Sequence, residues 1–127
     1  MKMKILLMQL FILFQLFPSK KNNLKKLYLI NEIILTISGN GNQKILSDKF
    51  SKLPDEILVN GVLTPPNINQ VNGLTNQINI ITMRWNSTIL DCSQMFLKLN
   101  NILNINLSNF DTSQVTKRKK CLKNVLH

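Results

Sequence analysis

"NILNINLSNFDTSQVT", residues 101–116, is the stretch on which the fold turns. Ile102, Ile105 and Leu107 follow LxxLxL spacing. On a short strand this puts Ile105 and Leu107 on the inward side and Asn106 on the outward side, because successive side chains alternate between faces. Working outward, sliding the end of the chain against itself lays "NSTILDCSQMFLK" (86–98) onto "TSQVTKRKKCLKN" (112–124). Ser87 then meets Ser113, Ile89 meets Val115, and Met95-Phe96 meets Cys121-Leu122. The period this defines, about 26 residues, belongs to solenoids of the leucine-rich type.

Residues 89–96, Ile-Leu-Asp-Cys-Ser-Gln-Met-Phe, and Ile102, Ile105, Leu107, Ser108, Phe110, Asp111, Thr112, Ser113, Val115 and Thr116 resemble the BspA-type leucine-rich repeat. That family, found in bacterial surface lipoproteins and protist surface proteins, repeats V-T-x-M-x-x-M-F followed by L-x-x-L-x-L-S-x-F-D-T-S-x-V-T. The resemblance covers about a third of the chain. It implies a repeat core of Ile89, Met95, Phe96, Ile102, Ile105, Leu107, Phe110 and Val115, and a non-catalytic protein that contacts a protein or cell-surface ligand. After Thr116 the pattern gives way to "KRKKCLKNVLH". A lone coil cannot bury its apolar face, so two expectations stand: a truncated array, or a coil packed on whatever precedes it.

The net charge of +10 is unevenly placed. Lysines 2, 4, 20, 21, 25 and 26 crowd the start, and Lys117, Arg118, Lys119, Lys120 and Lys123 crowd the end. Residues 27–116 hold Lys44, Lys49, Lys52, Arg84 and Lys98 against Glu32, Asp48, Asp55, Glu56, Asp91 and Asp111, a net of −1. A nucleic-acid surface needs Lys and Arg spread over the folded body with stacking aromatics, so no nucleic-acid partner is expected.

"MKMKILLMQLFILFQLFPSKK" (1–21) carries an apolar run at residues 5–17, broken by Gln9 and Gln15 and ended by Pro18. Thirteen helical residues rise about 20 Å, short of a hydrocarbon core of about 30 Å, which suits a signal peptide. Phe17 stands where cleavage wants a small side chain, and the lysines after the run outnumber those before it. Residues 1–19 therefore read as a signal peptide or a membrane anchor through residues 5–17.

"LYLINEIILTI" (27–37) reads as a strand closed by "SGNGN". "ILVNGVL" (57–63) sets Asn60-Gly61 between two apolar runs, the strongest short hairpin signal, and Pro65-Pro66 ends its second arm. "NINQVNGLTNQ" (67–77) is Asn-rich and loop-like. "INIITMRW" (78–85) is a strand with Asn79, Ile81, Met83 and Trp85 on one face. The chain has no alanine and abundant Asn, so individual asparagines are discounted unless Gly or Pro adjoins them.

No site chemistry emerges. Asp55 and Glu56 are adjacent, so on a strand they face opposite ways. The single histidine is His127, and Cys92 and Cys121 lack metal-ligand spacing. No catalytic residues, cofactor, metal or small-molecule substrate are expected. The cysteines stand 29 apart, out of phase with the repeat period, which favours two unpaired thiols, or a cysteine whose partner is missing, over the disulfide that a secreted protein could form. Asn86-Ser87-Thr88 and Asn106-Leu107-Ser108 are N-glycosylation sequons if the chain is secreted.

The expected architecture is α+β: an apolar N-terminal helix, a small β-rich leader over residues 20–84, and residues 85–127 as the first coil of a truncated leucine-rich-repeat solenoid with a basic tail. The expected role is a secreted or surface-displayed interaction protein. A short membrane-anchored protein and a non-functional gene fragment are the alternatives.

Overall fold

In the computed structural model, residues 31–116 and Cys121 are described. Seven strands run in chain order: β1 (Asn31–Ser38), β2 (Gly41–Lys44), β3 (Glu56–Val59), β4 (Val62–Thr64), β5 (Gln70–Leu74), β6 (Ile78–Trp85) and β7 (Ile102–Asn106). They form a five-stranded sheet in the order β4-β3-β6-β1-β7 and a two-stranded sheet of β2 and β5. All pairings are antiparallel.

Period-two patterning builds the centre. In β1, Ile33, Leu35 and Ile37 are buried while Glu32, Ile34, Thr36 and Ser38 are half-buried on the other face. In β6, Asn79, Ile81, Met83 and Trp85 are buried and Ile78 and Ile80 are exposed. The two strands match over their full lengths, from Asn31 opposite Trp85 to Ser38 opposite Ile78. β3 joins the far side of β6, and β4 returns along β3 through the Asn60-Gly61 turn. Both turn residues have positive φ, 50° and 82°, the requirement of a two-residue turn whose twist matches its strands. The inward face packs on the β2–β5 sheet and on residues 86–100 and 107–116. One hydrophobic cluster holds Ile45, Leu46 and Val71 together with Ile89, Met95, Phe96, Phe110 and Val115.

This arrangement overturns the expected α+β solenoid. The described residues are all-β, with no helix among them, and their two antiparallel sheets contain no solenoid coil. Solenoid coils contact their sequence neighbours. β7 instead lies antiparallel to β1, with Leu35 opposite Ile105 and Thr36 opposite Asn104. The physical reason is the open edge of β1: an aliphatic strand paired on one side with β6 takes the remaining uncharged strand on the other. The repeat offset survives as one local contact, the Thr116 N–H donating to the Leu90 carbonyl at 3.1 Å. The expected apolar helix within residues 1–19 lies outside the described residues. Residues 67–77, read as a loop, contain β5, because Val71 and Leu74 turn inward and Asn72 and Gly73 outward.

Candidate functional site

Between the β3–β4 hairpin and β5 lies a groove of about 480 Å³. Val59, Val62, Ile68, Val71 and Leu74 supply its apolar lining, and Asn60, Gln70, Asn72 and Asn79 its amides. None of the described residues that line it is charged. The hairpin positions Val62 and, on the opposite face of the same strand, Leu63; these are 68% and 66% exposed. Isolated exposed aliphatics are ordinary, but two on one short strand beside a groove of this size fit the usual form of a binding site.

Asn79 holds one end of the groove. It is 1% exposed, and its Nδ2 donates to the carbonyls of Gly39 at 3.1 Å and Asn76 at 2.8 Å. Its Oδ1 accepts from Asn60 Nδ2 at 3.0 Å, and Asn60 Oδ1 accepts from the Ile80 N–H at 2.9 Å. One amide thus ties together the turns after β1, before β6 and between β3 and β4. Gly39 is needed there, since its φ is 107° and an added Cβ would sit 2.6 Å from Gln43 Nε2.

On the other side of β4 is an open cleft of about 400 Å³, lined by Asp55, Glu56, Leu63, Thr64, Pro66, Arg84 and Asn86. Arg84 donates from Nε to Glu32 at 2.7 Å and from Nη1 to Glu56 at 2.6 Å, crossing three strands. Glu32 is held below its ordinary pKa first by the Asn109 amide and then by Arg84, with burial opposing them. Both carboxylates raise the pKa of Arg84. Asp55 Oδ2 accepts the Asn86 N–H at 2.8 Å. Each of these carboxylates is engaged by Arg84, an amide or a backbone N–H, so the cleft reads as a structural clamp. Among the described residues no three His, Cys, Asp or Glu side chains stand together to hold a metal ion.

The residues assigned to the repeat core occupy one region. Ile89, Met95, Phe96, Phe110 and Val115 are buried, and Ile102, Ile105 and Leu107 are half-buried. Met95, Phe96, Leu107 and Phe110 border an apolar cavity of about 140 Å³ beside Cys92 and Cys121. Those cysteines form a disulfide, with Cα atoms 4.9 Å apart, which corrects the expectation of unpaired thiols. The chain folds back across the sheet, so repeat phase does not set which cysteines meet. Trp85 is buried, meets Phe110 edge-on at 6.5 Å, and donates from Nε1 to the Lys52 carbonyl at 2.9 Å.

Asn86 and Asn106, the sequon asparagines, stand at the ends of β6 and β7; Asn86 is exposed and Asn106 lies at the surface. Asn106 Oδ1 accepts from the Ser108 N–H at 2.9 Å and from the Ser108 hydroxyl at 2.6 Å, an Asx turn at the end of β7. None of the repeat-core or sequon residues lines the groove. Its one sequence signal was the apolar pair after Asn60-Gly61, which marks a hairpin but not what the hairpin faces. Comparison of the chain with protein-family models, curated proteins and solved structures gives no match. No helix among the described residues is long and apolar enough to cross a membrane.

Proposed function

We propose that this is a secreted or surface-displayed, non-catalytic protein that engages a protein or cell-surface ligand through the groove between the β3–β4 hairpin and β5. The observation that carries the reading is the neutral groove walled by the exposed side chain of Val62, with Leu63 exposed on the opposite face of β4. An oxidising compartment is supported by the Cys92–Cys121 disulfide, since such bonds persist outside the reducing cytosol. The signal-like run at residues 5–17 and the BspA-like residue pattern favour the same setting.

The test is to express the full chain in eukaryotic cells and follow where it goes. The expected product is in the medium or accessible to protease on intact cells, with its thiols blocked from alkylation until reduced and with glycan on Asn86, Asn106 or both. A cytosolic product with two reactive thiols sinks the reading. Membrane retention with an intact N-terminus would replace secretion with anchoring.

A further inference from the structure

We propose that β4 takes an extended peptide segment of the partner protein as an added strand, with aliphatic side chains at alternate positions seated in the neutral groove. This rests on the reading of the groove as an interaction site and names the chemistry of its ligand.

The register of the hairpin sets the backbone. Val59 pairs with Val62, Leu58 with Leu63 and Ile57 with Thr64. The two-residue turn makes Val59–Val62 a hydrogen-bonded pair, and alternation makes Ile57–Thr64 the next one. The N–H and C=O of Leu63 therefore project away from β3, and β4 is an edge of the sheet with no further strand among the described residues. Pro65 and Pro66 follow directly, so hydrogen bonding centres on this one residue. Affinity then has to come from side chains.

Alternation also sets where those side chains go. Val62 lines the neutral groove and Leu63 the cleft on the opposite face, while Thr64, at the end of β4, borders both. A strand laid along β4 divides its own side chains between the same two spaces. Among the described residues of the groove no charged group is present to pair with an entering charge, and burying one unpaired is unfavourable. The described lining contains no aromatic ring to stack a sugar or base, and no cation to hold a phosphate or sulfate. What fits is an aliphatic side chain, with the amides of Gln70 and Asn72 at the rim. Polar residues of the segment alternate with the aliphatic ones and face the cleft.

The experiment is selection of a phage-displayed library of random linear peptides on the purified, disulfide-bonded full chain, followed by fluorescence polarisation with the peptides enriched. The expected peptides alternate aliphatic and polar residues and carry no charge at the aliphatic positions. Val62→Asp, at an exposed position, should weaken binding about tenfold or more by placing an unpaired charge against the groove. Leu63→Pro removes the outward N–H without touching the ladder to β3 and should also weaken binding, by a smaller factor. Thermal melting of both variants confirms that they fold. Absence of enrichment, a charged consensus, or equal binding by wild type and Val62→Asp overturns the inference. A secreted chain with no peptide preference defeats this inference alone, whereas a cytosolic chain that binds such peptides defeats the proposed setting and leaves the groove chemistry standing.

Discussion

At one edge of the five-stranded sheet, β7 packs Ile102 and Ile105 against the core and leads into Phe110, Val115 and the disulfide-linked Cys121. At the other, β4 leaves Val62 and Leu63 about two-thirds exposed and is followed by two prolines. β7 also carries a bulge, where Ile37 pairs with Ile102 but Thr36 with Asn104, leaving Leu103 extra. Such a bulge discourages further pairing at the β7 edge. The difference lies in the side chains: those of β7 and its sequel complete the core, whereas Val62 and Leu63 stay in water. Stability should therefore respond strongly to changes on the β7 side and weakly to changes in β4, while binding should do the reverse.

The largest effect should come from Trp85→Ala, which removes a fully buried ring from its contact with Phe110. A loss of about 3–5 kcal/mol in urea unfolding is expected. A loss below about 1 kcal/mol would deny the Trp85–Phe110 contact, through which the sequel of β7 joins the core, any weight in stability. Next is the disulfide, which joins cysteines at a sequence separation of 29. Replacing Cys92 and Cys121 with Ser frees that loop in the unfolded chain and should cost about 3 kcal/mol. Comparing urea midpoints of the variant and the oxidised wild type measures it.

Asn79→Ala tests the groove end. It strips partners from the Gly39 and Asn76 carbonyls and from Asn60. Leaving such groups unpaired should cost about 2 kcal/mol. Proton exchange at the Asn60-Gly61 turn should speed up in step, and unchanged exchange would show that the amide does not hold that turn.

Glu32 gives a smaller, pH-dependent effect. Its folded pKa lies below the unfolded one, so in the window between them the unfolded chain binds the extra proton and stability rises with pH. Its contribution is complete above the ordinary carboxylate range and is lost as pH falls through the lowered value. Glu32→Gln should flatten that part of the acid-unfolding curve, and an identical curve would deny the Asn109 and Arg84 contacts any role. Smallest should be Leu63→Asn, at an exposed position. In the same urea assay it should stay within about 0.5 kcal/mol of wild type. A larger loss would mean that β4 is part of the core after all.

Much of the sheet was legible from residue pattern. The alternation in "INIITMRW" separates Asn79, Ile81, Met83 and Trp85, the side the fold buries, from the other side, and Asn60-Gly61 marks its hairpin, because both signals are local. The partner of β7 was not legible. LxxLxL spacing states which side chains turn inward but not which distant strand they join, and the open edge of β1 decided that. The discounting of asparagine also hid information. Asn31 donates to the Ser87 carbonyl at 3.2 Å and accepts the Asp111 N–H at 2.9 Å. Asn101 donates to Gln43 Oε1 at 3.1 Å and the Lys44 carbonyl at 3.0 Å. These amides fasten segments that are far apart in sequence, and a biased composition makes such positions indistinguishable from the rest. The groove was invisible for a similar reason, since β4 and β5 belong to different sheets and meet only after both have formed.

The placement of β1 bears on how the chain can be made. It comes first of the seven strands among the described residues, yet its neighbours are the sixth and seventh. A ribosome or translocon delivering the chain in order releases Ile33, Leu35 and Ile37 long before either neighbour exists, whereas β3 and β4, joined by a two-residue turn, emerge together. Such nonlocal pairing slows folding and leaves aliphatic edges open in the meantime. Completion of the sheet therefore waits until residues 102–106 are free to pair with β1.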